Sequence, residues 1–417
     1  MDADSTNGID RRRLLGWSGL TAAGMAAAGA HLTGAPPARA DAAPTGSGTP
    51  PDTRPGGAYD RYVAKLAAEG RFSGVVLLSH RGRTVLSRSY GMADKEKGIP
   101  NGENTAFSLS SAGKPFHAVA ILQLAQQGRL QLSDTVGTHL TGYAKEIAEQ
   151  VTIHQLLTGT SGMKTPDEDV QRIFRSRKEV HEFYEQWARQ ATPEAPPGTP
   201  SSHSGAEVAI PAQIIEAVTG QTYWDYVQEN IFKLCGMTGS GFYTRPQWLT
   251  DQHIAHPYMA LADGSHVDAV RNLDKGSPAP YVQGKNPGRA FIDAPGDGGF
   301  ATAPDLVRFA RALGDGTVLD RHYAELFTGP KIPLAPEGGG LARRATPADA
   351  SFGAYQIPVS LVSGQWVWSR AGANPGVGAN WTIYPDTGWV GVILTNRDGA
   401  PLWEIIEQET RAVIGPG

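Results

Sequence analysis

Hydrophobic and polar positions along the chain fall into two kinds of pattern, and their order predicts a mixed fold. Residues 72–79 form a β-rich run, His80-Arg81-Gly82-Arg83 is a polar turn, and residues 84–90 alternate into a second strand, so this stretch predicts a hairpin. Towards the other end, residues 365–369, 378–384 and 389–395 read as three more strands, with Pro385-Asp386-Thr387-Gly388 as the turn between the last two. Between these ends, residues 116–127, 180–191, 206–218, 223–231 and 304–313 carry apolar positions at helical spacing, as do residues 402–413. Strands near both termini around a mainly helical middle predict one antiparallel sheet closed by distant parts of the chain. No internal repeat is evident.

Composition narrows the function classes. The 417 residues are 40% hydrophobic and 19% charged, which suits a globular protein of one large domain or two small ones. A formal net charge of -4 and no sustained Lys/Arg run in the body of the chain give no field for gripping a phosphate backbone, so nucleic acid is not an expected partner. Cys235 is the sole cysteine, which rules out an intrachain disulfide and predicts a buried, inert thiol. His253 and His256 have no HExxH, cysteine cluster or acidic partner at metal spacing, so neither a metal nor another cofactor is expected. Trp366, Trp368, Trp381 and Trp389 fall in the C-terminal strands, where aromatics usually pack a core. Gly338-Gly339-Gly340 lacks the lysine of a phosphate loop and reads as flexible.

Residues 1–40 read as an address rather than as fold. Arg11, Arg12 and Arg13 precede Leu14 and Leu15, a Gly/Ala-rich stretch follows to about Gly34, and Ala38-Arg39-Ala40 supplies a small-x-small cleavage site. This order predicts a twin-arginine export signal, an extracellular or cell-envelope location, and no stable membrane anchor once the signal is removed. Residues 41–57, rich in Pro, Ala, Gly, Ser and Thr, are expected to be a flexible leader to a domain spanning 58–417.

Chemistry enters at Ser111-Ala112-Gly113-Lys114. A serine hydroxyl is a poor nucleophile until a base takes its proton, and a spacing of three on a helix sets both side chains on one face. The spacing also occurs in Ser161-Gly162-Met163-Lys164, and context separates the two. Ser111 follows a short apolar stretch and opens a long amphipathic run, with Pro115 in the first turn, which places its hydroxyl at a helix N-terminus. Ser161 is followed by Thr165, Pro166 and acidic residues, which read as a loop.

From about Phe72 to Asn396 the chain resembles the class C β-lactamase, D,D-peptidase and esterase family of penicillin-recognising serine enzymes. Phe107-Ser108-Leu109-Ser110-Ser111-Ala112-Gly113-Lys114 is similar to its nucleophile segment, and Gln127-Gly128-Arg129-Leu130-Gln131-Leu132-Ser133-Asp134 to the helix end that follows. The resemblance continues through Val151-Thr152-Ile153-His154-Gln155-Leu156-Leu157-Thr158-Gly159-Thr160-Ser161-Gly162-Met163, which makes the second serine-lysine match a structural turn. Gly298-Gly299-Phe300-Ala301-Thr302 with Asp305-Leu306, and Tyr384-Pro385-Asp386-Thr387-Gly388, complete it. It implies an α/β (α+β) β-lactamase/transpeptidase-like fold: an antiparallel sheet flanked by helices, with an inserted helical domain. The sheet part would comprise about 58–108 and 352–417, the mainly helical part about 109–351, and the active site would lie between them.

Two positions depart from the family pattern. Where relatives carry Tyr-x-Asn after Pro-Gly-Thr, Pro197-Gly198-Thr199 leads here to His203-Ser204-Gly205. An imidazole titrates near neutrality, so His203 is a candidate base in place of the tyrosine, whereas Gly205 lacks the side-chain amide that asparagine offers a bound acyl amide. Where relatives carry Lys-Thr-Gly or His-x-Gly on a sheet edge, Arg370-Ala371-Gly372 keeps a positive charge suited to a substrate carboxylate or sulfate, and Gly372 leaves room for substrate against the strand. The backbone N–H groups of Ser111 and Ala373 resemble the family's oxyanion hole. The resemblance thus implies an acyl-enzyme catalyst acting on a small ester, amide or peptide. Three readings stay open: a hydrolase, a transacylase or amide-forming enzyme in secondary metabolism, and a catalytically inactive binding homologue.

Overall fold

The computed structural model describes residues 49–201, 204–334 and 350–415, and the export-signal reading, His203 and Gly338-Gly339-Gly340 lie outside them. Among the described residues, the main sheet has eight strands: β1 (Gly74–His80), β2 (Arg83–Tyr90), β3 (Ile332–Pro333), β4 (Ala350–Gly353), β5 (Pro358–Val362), β6 (Gln365–Asn374), β7 (Val377–Tyr384) and β8 (Trp389–Thr395). Their spatial order is β3-β4-β5-β6-β7-β8-β1-β2, antiparallel throughout. The N-terminal hairpin thus docks on the last C-terminal strand, with Gly74 opposite Thr395 and His80 opposite Trp389.

Both faces of this sheet are covered, which is why its central strands read as near-continuous apolar runs. Along β1, Val75 and Leu77 join one core while Val76 and Leu78 join the other. The smaller core lies beneath helices Ala58–Ala68 and Leu402–Ile414, which bring Tyr59, Val63, Leu66, Ile405 and Ile406 to it. The larger holds the helical part of the chain, with helix Pro115–Gln126 at its centre. Every residue of that helix from Pro115 to Leu124 is buried. It is therefore buried all round, His117 and Gln123 included, rather than amphipathic, because helices pack on the sides expected to meet solvent.

Several boundaries differ from the sequence reading. Residues 223–231 do not form one helix, since Tyr223–Val227 gives way to a π-turn over Gln228–Phe232. Strands β3 and the start of β4 fall within the stretch assigned to the helical part, so the sheet recruits chain earlier than residue 352. Part of the expected flexible leader is folded: Pro51–Thr53 is a 3-10 turn, and Thr53 is fully buried with its hydroxyl donating to Pro50 O at 2.7 Å. Pro at the start of that turn sets its φ in advance, which lowers the entropy cost of ordering it.

Candidate active site

The nucleophile segment is held in place by main-chain contacts from three directions. Phe107–Ser108 pairs antiparallel with Phe300–Ala301, and Leu109 N donates to Gly299 O at 2.9 Å. On the sheet side, β5 pairs with the first half of β6, from Gln365 to Trp368, and among the described residues no strand pairs with the second half along that edge. That edge meets the nucleophile segment: Ser110 Oγ donates to Ala373 O at 3.0 Å, Arg370 Nε to Ser111 O at 2.8 Å, and Trp381 Nε1, from β7, to Ala112 O at 3.0 Å. The third support is the loop preceding Phe300, where a Cβ on Gly113 would stand 1.8 Å from Gly298 O. Only glycine permits that approach.

Within this frame, Ser110–Gly113 is a 3-10 turn and the α-helix begins at Pro115, whose missing N–H falls where no partner is needed. Ser110 has φ of 48°, a left-handed conformation that costs a non-glycine residue of order 1–2 kcal/mol. Its hydrogen bond to Ala373 offsets part of that cost. The turn leaves Ser111 partly exposed and buries Lys114 to 7% exposure. Lys114 Nζ lies 3.0 Å from Ser111 Oγ and 3.6 Å from Asp297 Oδ2. Burial holds the lysine below its usual pKa, the negative charge of Asp297 opposes this, and the positive charge of Arg370 adds to it.

The other expected site residues fare differently. Ala373 adjoins the nucleophile through Ser110, so the two main-chain donors expected to form the oxyanion hole belong to segments in direct contact. The room expected beside Gly372 is not open to substrate: a Cβ there would stand 2.2 Å from Leu109 O and 2.4 Å from Ala112 N, so the nucleophile segment itself fills the space. Gly372 therefore positions the serine. Arg370 commits its Nε to Ser111 O, and burial pushes its pKa down to about 10, which leaves it charged at neutral pH. At Gly205 the Trp187 ring occupies the place of a side chain, 2.1 Å from where a Cβ would sit, and Trp187 Nε1 donates to Pro166 O at 3.0 Å. Gly205 thus serves packing and carries no polar group towards substrate.

Two charged residues near Lys114 went unnoticed in the sequence. Asp297 lies in Gly296-Asp297-Gly298-Gly299, directly before the recognised Phe300-Ala301-Thr302, and an acid inside a glycine run beside a motif was the available signal. Glu207 sits in the first turn of helix Ala206–Thr219, and its charge reaches Lys114. No cluster able to hold a metal ion is found among the described residues. His256 is buried with Nδ1 2.7 Å from Asp268. Cys235 is half-buried, which pushes its thiol up to about 12.

An antiparallel sheet backed by helices, with a serine and a buried lysine paired where a helix meets the second half of β6, defines a protein of the β-lactamase/transpeptidase fold. The chain belongs to the Beta-lactamase family, whose model matches residues 59–411. It is 29% identical over 279 residues to a putative penicillin-binding protein, PbpX, of Bacillus subtilis, a match covering 64% of this chain and 62% of that protein. The penicillin-binding protein from Bacillus halodurans superposes with a TM-score of 0.67 at 24% identity, over 83% of this chain and 98% of that one. EstCE1, described as a hydrolase with promiscuous acyltransferase activity, gives 0.67 at 22% identity, over 86% and 97%.

Proposed function

We propose that the protein is a serine acyl-enzyme catalyst that hydrolyses a small ester or amide, or transfers its acyl group, after export by its N-terminal signal. The observation that carries this reading is the 3.0 Å contact between Lys114 Nζ and Ser111 Oγ, with the lysine buried and the serine reaching solvent. Burial favours the neutral amine, the form that accepts a proton.

As Ser111 Oγ bonds to the acyl carbon, its proton passes to Lys114 and the carbonyl electrons move onto oxygen. The N–H groups of Ser111 and Ala373 take that oxyanion. Collapse re-forms the carbonyl and breaks the bond to the leaving group, which takes the proton back from Lys114 and leaves an acyl-serine. Water then completes hydrolysis, or an amine or alcohol completes transfer. EstCE1, a hydrolase with acyltransferase activity on the same fold, supports keeping both outcomes within one mechanism. With Trp187 filling the space at Gly205, no side-chain amide is available there to grip an acyl amide, which favours simple ester donors over peptide-like ones. His203 is the residue proposed to assist Lys114 in taking the proton from Ser111.

Intact-mass measurement after exposure to a fluorophosphonate, a penicillin and a panel of esters tests this. One adduct on Ser111, absent from Ser111→Ala, is the expected result. Adducts that persist in that variant sink the reading.

A further inference from the structure

A buried lysine head needs polar partners. Among the described residues, the hydrogen bonds and ion pairs of Lys114 Nζ are to Ser111 Oγ at 3.0 Å and to Asp297 Oδ2 at 3.6 Å.

The loop that carries Asp297 is built to hold it there. Gly296 and Gly298 on either side have φ of 93° and 67°, conformations that glycine adopts without cost. Gly298 O stands 1.8 Å from where a Cβ on Gly113 would be, and a Cβ on Gly298 would stand 2.5 Å from the Asp293 side chain, so neither position admits a side chain. Asp297 Oδ1 accepts from Gly298 N at 2.8 Å, which fixes the carboxylate plane and leaves Oδ2 towards the lysine. Behind it, Asp293 is half-buried, with Oδ2 accepting from Gly299 N at 2.8 Å, bracing the same loop.

We propose that Asp297 is the positioning residue of the Ser111–Lys114 pair, its carboxylate holding the lysine head against the serine. This rests on reading Ser111 and Lys114 as the catalytic pair. In the acylation step the proton leaving Ser111 Oγ turns neutral Lys114 into an ammonium, and a carboxylate already aimed at it stabilises the charge that forms. The ammonium then gives that proton to the leaving group, so Asp297 itself gains and loses none.

The other charged groups around Lys114 set the sign of the effect. Arg370 from β6 and, more weakly, Lys285 repel its positive charge, while Asp297 and Glu207 attract it. His117, one turn further along the same helix, is fully buried and pushed down to about 4, so it is neutral where the enzyme would work. Asp293 is pushed up to about 7 by burial, aided by the charge of Asp297. Removing the charge of Asp297 therefore makes Lys114 easier to deprotonate and leaves its ammonium less stable.

The rate of fluorophosphonate labelling, measured across pH on the whole chain, separates these effects. Asp297→Asn is expected to move the acidic limb of the rate profile about one unit lower and to slow the maximal labelling step about tenfold, with saturation by the probe changed less than about threefold. Asp297→Glu is expected to restore the limb in part. An unmoved limb in Asp297→Asn, with melting temperature unchanged, overturns the proposal. So does weaker saturation at an unchanged maximal rate, which marks a substrate contact. If Ser111→Ala still labels, the acyl-enzyme reading falls and the proposal with it. If Ser111→Ala is silent and the limb stays put, only the role of Asp297 falls.

Discussion

Two segments of this chain spell serine, two residues, lysine, and the fold treats them in opposite ways. At Ser111 the spacing runs into the head of a helix buried from Pro115 to Leu124, the lysine is covered, and its amine faces the hydroxyl. At Ser161 the serine is the covered member and Lys164 the exposed one. Ser161 Oγ donates to Glu207 Oε1 at 2.5 Å, its N–H donates to the same oxygen at 2.9 Å, and Met163–Lys164 leaves the turn as a short strand paired with Thr192–Pro193. A spacing of three becomes chemistry only where the backbone is helical and the amine is desolvated. Where the chain turns, the same residues tie two elements together.

The largest expected effects test that contrast directly. Ser111→Ala is expected to lower kcat/KM for a chromogenic ester by on the order of 10³-fold or more, the scale seen when a nucleophile is removed. Ser161→Ala should leave kcat/KM within about tenfold yet cost about 1–3 kcal/mol in denaturant unfolding, because a buried carboxylate loses its donor. Equal activity losses at the two serines break the comparison. One step smaller, Lys114→Met is expected to cost about 10²–10⁴-fold in kcat, the range of a positioned general base, while Lys164→Met leaves kcat within about twofold.

A third comparison concerns the glycines that frame the first segment. Gly372→Ala places a methyl group into Leu109 O and Ala112 N, so either β6 or the nucleophile must shift. A displacement of about 1 Å at a reacting atom is worth roughly 10²-fold in rate. Ester turnover in a variant whose far-ultraviolet spectrum is unchanged checks this, and undiminished turnover shows that the serine does not depend on the strand for its position.

Much of this was legible in the sequence, for identifiable reasons. Strands β1, β7 and β8 declared themselves because both their faces are buried, which concentrates β-branched and aromatic residues in short runs. The pairing of Ser111 with Lys114 was legible because it is local, and the neighbouring segments separated it from the same spacing at Ser161 and Lys164. The helix Ala58–Ala68 escaped notice, as did β5, whose proline and serine dilute its apolar pattern. The roles of Gly372, Gly205 and Asp297 were hidden for a different reason. Each depends on a partner far along the chain: the backbone at Leu109, the ring of Trp187, the ammonium of Lys114. Periodicity carries no information about contacts of that kind.

The smallest expected effect concerns the carboxyl that holds the second segment. Glu207 is buried, and burial raises its pKa above the ordinary value although hydrogen bonds from Ser161 and Ser201 pull it down. The folded state then binds this proton more tightly than the unfolded chain does. The stability this group contributes is accordingly full below the unfolded-state pKa, and it declines as pH rises through the folded-state value. Glu207→Gln, which has no proton to lose, is expected to flatten that decline by a few degrees in melting temperature between about pH 4 and pH 8. The same variant removes one negative charge near Lys114, so any accompanying shift in the acidic limb of ester turnover should be smaller than that of Asp297→Asn, whose carboxylate pairs with the lysine directly. A larger shift from Glu207 joins the two serine-lysine segments into one electrostatic unit and removes the distinction between a chemical segment and a structural one.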